Sequence, residues 1–119
     1  MKIEINVPAK TIAGLMETLI GSGDPVTRAW LADVIQVAPK APALTSAKFY
    51  EDSFTFRVVE HDGTRKRTHN VNGADIARGL SVMASKYSHL FRHVMAGDFD
   101  QPCADIFMQC VCFGKEKYA

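Results

Sequence analysis

The sequence has almost no surplus charge of either sign. Fourteen Lys and Arg stand against 13 Asp and Glu among 119 residues, a formal net charge of +1. That excludes a polycationic nucleic-acid coat and an acidic tail protein. Long apolar runs are missing too: none approaches the roughly 18 residues a membrane-spanning helix needs, so no membrane partner is expected. Cysteine is scarce and odd in number, with Cys103, Cys110 and Cys112 crowded near the end of the sequence. An odd count in one short segment does not make a disulfide framework, so free thiols packed in a core are expected. Internal repeats and low-complexity stretches are absent. At the start, Glu4 and Asn6 fall where a signal peptide would run apolar, which points to the cytosol.

What is there suits one domain over residues 1–119, long enough for a sizeable core. Residues 2–7 alternate Ile3, Ile5 and Val7 against Lys2, Glu4 and Asn6, the period of a half-buried strand that Pro8 closes. From Lys10 the period changes. Ile12, Leu15, Met16, Leu19 and Ile20 recur at steps of three and four, one stripe of an amphipathic helix, and 21–25, Gly-Ser-Gly-Asp-Pro, stops it. Residues 26–38 fit a short helix or a strand, with Val34, Ile35 and Val37 tilting the latter part to strand. Pro39 and Pro42 mark an exposed connection.

The clearest β region is 46–71. Phe54, Phe56 and Val58 alternate with Thr55, Arg57 and Val59, and Asp62-Gly63 is a strong hairpin signal. The return strand, 65–71, is so polar that it reads as a sheet edge. Phe49 and Tyr50 are expected on a preceding, paired strand. Asn72 suits a helix N-cap, and Ile76, Leu80, Met83, Tyr87, Leu90, Phe91 and Val94 form a helical stripe with a break near 87–88. Asp100 or Gln101 caps a last helix that is apolar all round and ends at Gly114, leaving a polar end over 115–119. Strands followed by segregated helices make the fold class α+β, a small antiparallel sheet of 3–4 strands with helices packed on one face.

Several residue groups carry chemistry that must be weighed against plain structure. Arg57, Arg65, Lys66, Arg67 and His69 concentrate positive charge on one hairpin, with Tyr50 or Phe49 available for stacking. A phosphate-binding surface has this composition, and so does a solvated edge strand. Trp30, beyond the glycine-rich turn, is a candidate for lining a pocket. Asp98, Asp100 and Asp105 read as a cap and first-turn acids before they read as a converging carboxylate cluster. Asp105 and Gln109, four apart on an apolar helix, need partners and are expected to fasten it to the helix of Gly79 or to the sheet. His89 and His93 share the spacing of a zinc-chelating helical pair, but no Glu sits at the base position and no Cys-x-x-Cys accompanies them. They read as solvent-side residues flanking buried Leu90 and Phe91, and no metal ligand is assigned. Ser81, Ser85 and the cysteines have no nucleophile elbow or base partner, so no catalytic residue, cofactor or enzymatic activity is expected.

Two stretches carry a resemblance. Ile76-Ala-Arg-Gly79-Leu80-Ser-Val-Met83-Ala84-Ser-Lys-Tyr87 resembles Leu-x-x-Gly-Leu-x-x-Met-Ala-x-x-Tyr. Asp100-Gln-Pro-Cys-Ala104-Asp105-Ile106-Phe107-Met-Gln109-Cys-Val-Cys-Phe113-Gly114-Lys-Glu-Lys-Tyr118 resembles Asp-Ala-x-Thr-Ala-Asp-Val-Phe-Leu-Gln-x-x-x-Phe-Gly-Glu-x-x-Tyr. Both patterns occur in a family of small proteins of tailed bacteriophages and prophages, most of them without an assigned activity. Cys103 stands where that family carries Thr, Lys115 where it carries Glu, and its Glu-Gly-Gly-Ser-Asn-Tyr-Trp after the first helix is replaced here by 21–25 and a later Trp30.

The resemblance implies a phage context and the host cytoplasm. With the small size, it leads to the expectation of a non-catalytic accessory protein. Such a protein binds and inhibits or sequesters a host factor, a host protein or a small anionic nucleotide, as a component of anti-CRISPR or nucleotide-signalling defence inhibition. A homo-oligomer is expected. The alternatives are a phage protein that binds nucleic acid through the basic hairpin, and a zinc-stabilised structural module.

Overall fold

The structure is a computed structural model that describes residues 7–21 and 23–118. Apart from Val7, the strand expected over 2–7 lies outside the described residues. The first described helix is α1, Ala9–Gly21, whose stripe Ile12, Leu15, Met16 and Leu19 is buried as its spacing requires. Asp24 then caps a single turn, α2 (Pro25–Arg28), its carboxylate accepting from the Val26 N–H at 3.1 Å. The ambiguous stretch resolves into that turn and a strand, β1 (Leu31–Ala38).

β2 (Thr55–Asp62) and β3 (Arg65–Val71) form the hairpin expected from Asp62-Gly63, with Gly63 at φ +61°, a conformation glycine adopts without steric cost. Among the described residues the sheet is antiparallel in the order β1-β2-β3, which puts β3 at its edge there. Its two faces differ sharply. Phe56, Val58 and Glu60 of β2 are buried, and their register partners on that inner face are Gln36, Val34 and Leu31 of β1 and Val71, His69 and Arg67 of β3. The outer face presents exposed Ile35, Lys66, Thr68 and Asn70 around half-buried Arg57 and Val59.

Phe49 and Tyr50 are not on a strand. They form a 3-10 helix, Ala47–Tyr50, with both side chains buried. Successive strand residues point to opposite faces, so two adjacent aromatics can both enter one core only where the chain turns tightly. Here they cluster with Phe54 at ring-centre distances of 4.9–5.4 Å. Gln36 pins the preceding connection: its amide donates to the carbonyls of Pro39 (2.7 Å) and Pro42 (2.8 Å) and accepts from the Leu44 N–H (2.9 Å).

The helical stripe after β3 divides at Tyr87, as expected, into α3 (Gly73–Lys86) and α4 (Ser88–Ala96). Asn72 and Asp75 form a reciprocal capping box at the start of α3. The last helix, α5 (Gln101–Phe113), starts at an Asp100 cap and ends at Gly114, φ +71°. Every residue from Cys103 to Val111 is buried. α3 crosses α5 so closely at Gly79 that a Cβ there would sit 2.7 Å from the Val111 Cα. The molecule is therefore α+β, and its described residues form a three-stranded antiparallel sheet whose inner face meets the helices. Among the described residues no helix is long and apolar enough to cross a membrane.

Candidate functional site: an exposed cationic hairpin above a buried polar network

Strand alternation divides the cationic residues between two faces. Arg57 and Lys66 belong to the outer face; Arg65, Arg67 and His69 belong to the inner one. Arg65, Lys66 and Arg67 are exposed, directly after the turn. The hairpin end is thus a ribbon that is cationic on both sides, not one flat patch. Arg57 is tethered across the strands, its Nε donating to Asn70 Oδ1 at 3.2 Å.

The other expected binding residues serve the interior. His69 places Nε2 2.8 Å from Glu60 Oε1 and sets its ring edge-on to Phe113 at 5.3 Å. Tyr50 is 8% exposed and donates its hydroxyl to the Leu44 carbonyl at 2.5 Å; burial pushes its phenol pKa well up. Trp30 is 0% exposed, so it lines no open pocket. Both aromatics close the core where α2 and the 3-10 helix join the sheet, and Tyr50 also reaches the wall of an open cleft lined by Ser53, Phe54, Thr55 and Asn72.

Among the described residues four polar side chains are buried, Thr27, Glu60, Asp105 and Gln109. Asp105 accepts from Thr27 Oγ1 (2.5 Å), Trp30 Nε1 (3.2 Å) and Gln109 Nε2 (2.5 Å). Gln101 donates in turn to Thr27 Oγ1 at 2.7 Å. Asp105 therefore stands beyond the first turn of α5, not in it as expected, and it fastens α5 to α2 and Trp30, not to the helix of Gly79. Steric closeness, not hydrogen bonding, joins α5 to Gly79. Gln109 holds the segment that follows α5: its oxygen accepts from the N–H groups of Lys117 and Tyr118, both at 2.8 Å, and its amide donates to the Tyr118 carbonyl at 3.0 Å.

The polar end expected over 115–119 is, in its described residues 115–118, a docked strap. Lys117 Nζ donates to Glu60 Oε2 at 2.7 Å, the Tyr118 hydroxyl donates to the same oxygen, and Tyr87 Oη accepts from the Glu116 N–H at 2.9 Å. Burial works to raise the Glu60 pKa, but hydrogen bonds from Lys117, Tyr118 and His69 outweigh it and bring the carboxyl down to about 2. The same contact with Glu60 raises the Lys117 ammonium. Glu60 escaped notice in the sequence, although the signal was present: extending the buried phase of Phe56 and Val58 by two residues reaches it.

The thiols are chemically quiet. Burial, aided by Asp100, pushes Cys103 up to about 11; burial pushes Cys110 up to about 11; burial, with Glu60 and Asp75, pushes Cys112 up to about 12. His89 is exposed and His93 half-buried, and Leu90 and Phe91 between them are half-buried, not enclosed. No family model, curated protein or solved structure matches the chain.

Proposed function

We propose that this chain is a non-catalytic phage accessory protein that acts in the host cytoplasm by binding and inhibiting, or sequestering, a host-defence factor through the β2–β3 hairpin. The observation that carries this reading is the run Arg65-Lys66-Arg67. It is exposed on a strand at the sheet's edge among the described residues, beside a two-residue turn, while Glu60 and His69 of the inner face are drawn into the interior. A narrow ribbon with cations on both faces is shaped to enter an acidic cleft on a protein or to clasp a small anion. The resemblance of 76–118 to phage proteins supports the setting.

Nucleic-acid binding is the weaker reading. Sequence-tolerant binding of single strands leans on aromatic stacking, and Phe49 and Tyr50 are buried against Phe54, at the end of the hairpin opposite its turn. A zinc-stabilised core is weaker still, because among the described residues no group of three or more His, Cys, Asp or Glu is placed to hold an ion.

The test is co-purification of the tagged chain from an infected host, with mass spectrometry of bound proteins and bound small molecules. Recovery of one stoichiometric acidic protein or nucleotide is expected, released by moderate salt. Recovery of bulk DNA or RNA with a steep salt dependence would replace this reading with the nucleic-acid one.

A further inference from the structure

One cavity of about 250 Å³ lies between α4, the 98–100 connection and the start of α5, and collects His89, His93, Asp98, Asp100 and Cys103 on its walls. Two of these groups are already committed. Asp100 caps α5 through the Cys103 N–H at 3.1 Å, and the Cys103 thiol, 1% exposed, donates to the Leu90 carbonyl at 3.5 Å. The two imidazoles and Asp98 remain.

His89 and His93 stand one turn apart on α4 with ring centres 5.1 Å apart and planes at 85°. Two imidazoles bound to a single ion at about 2.0–2.1 Å per nitrogen place their ring centres roughly 4.5–5.5 Å apart, so the observed spacing already suits chelation. The second feature is the hydrogen bond of His93. Its Nδ1 lies 3.0 Å from the Asp98 carbonyl oxygen, which can only accept. Nδ1 therefore bears a proton, and in the neutral ring the lone pair is on Nε2; this is the outer hydrogen bond that orients metal-bound histidines. The Asp98 carboxylate, 88% exposed and 3.9 Å from the same nitrogen, adds negative charge at the mouth.

We propose that His89 and His93 form an open, two-nitrogen site for a divalent transition-metal ion of the zinc type, with water in the remaining positions. Because no third donor closes the coordination sphere among the described residues, the ion is exchangeable and does not hold the fold. The site is independent of the hairpin, and neither reading depends on the other.

The experiment is calorimetric titration of the full chain with zinc chloride in a reducing, non-chelating buffer, paired with NMR of the histidine ring protons. One-to-one micromolar binding is expected, weakened roughly tenfold or more in His89→Gln and in His93→Gln. The rings of His89 and His93 should shift while those of His61 and His69 stay in place. Absence of saturable binding up to millimolar zinc would overturn the proposal. So would binding undiminished in the double variant, or ring shifts confined to other histidines; the NMR arm reads the wild-type chain and does not depend on the variants folding.

Discussion

The ring of Tyr118 lies parallel to the indole of Trp30, with centres 5.8 Å apart and planes 5° from coplanar. Trp30 also meets Phe113 edge-on at 5.5 Å and donates to the buried Asp105. One aromatic stack thus closes the strap over the residues that join α2, β1 and α5. Tyr118→Ala removes the stack and the hydroxyl bond to Glu60 together, and it is expected to cost about 2–4 kcal/mol. Tyr118→Phe keeps the stack and is expected to cost about 1–2 kcal/mol. Urea unfolding measures both, and equal losses would mean that the ring contributes nothing beyond its hydroxyl.

Glu60 makes stability depend on pH in a defined direction. Its folded-state pKa, about 2, lies below the ordinary 4.5. The unfolded chain therefore takes up this proton first as pH falls. The stabilisation is complete above about pH 4.5 and is lost as the pH drops towards 2, an effect on the order of 3 kcal/mol. Glu60→Gln is expected to be less stable at pH 7 and to show a flatter decline across that window. An unchanged acid slope in the variant would assign the titration to other carboxyls.

Gly79 is a contact point between helices. A methyl at this position would meet Val111 at 2.6 Å from Cγ2 and 2.7–2.8 Å from backbone atoms, which cannot swing aside as a side-chain tip can. Gly79→Ala is expected to lose about 2–3 kcal/mol despite its better helix propensity. Gly21→Ala, with nothing within 4 Å, is expected to change stability by no more than about 0.5 kcal/mol. Differential scanning calorimetry on the pair checks the contrast.

With pKa values of about 11, 11 and 12, Cys103, Cys110 and Cys112 are nearly all protonated at pH 7.5. Alkylation by iodoacetamide should be at least about a hundredfold slower than for a free cysteine, and all three should react fully in urea. Rapid labelling of one thiol in the folded chain would mark it as reactive and reopen nucleophilic chemistry.

The elements that announced themselves in the sequence were those whose signal is local. The stripe of Ile12, Leu15 and Leu19, the Asp62-Gly63 turn, the Asn72 cap and the Gly114 stop all depend on neighbours a few residues away. The polar network was not legible because its partners are distant: Thr27 is bonded to Asp105, and Glu60 to Lys117 and Tyr118. Nothing near Lys117 or Tyr118 in sequence distinguishes a docked strap from a solvated end. The candidate binding residues divided along the same line. Exposure of Arg65, Lys66 and Arg67 followed from the polarity of an edge strand, whereas the burial of Trp30 and Tyr50 and the pairing of His69 required the tertiary fold.

Binding by the hairpin and architecture by the strap are separable, and one comparison tests this most directly. Wild type, the triple variant Arg65→Gln, Lys66→Gln and Arg67→Gln, and Tyr118→Phe are each used to capture the partner recovered from an infected host, and each is unfolded in urea. The triple variant should lose capture and keep its stability within about 0.5 kcal/mol, because its three side chains are exposed. Tyr118→Phe should keep capture and lose stability. Undiminished capture by the folded triple variant would contradict the account and move the binding surface elsewhere on the molecule.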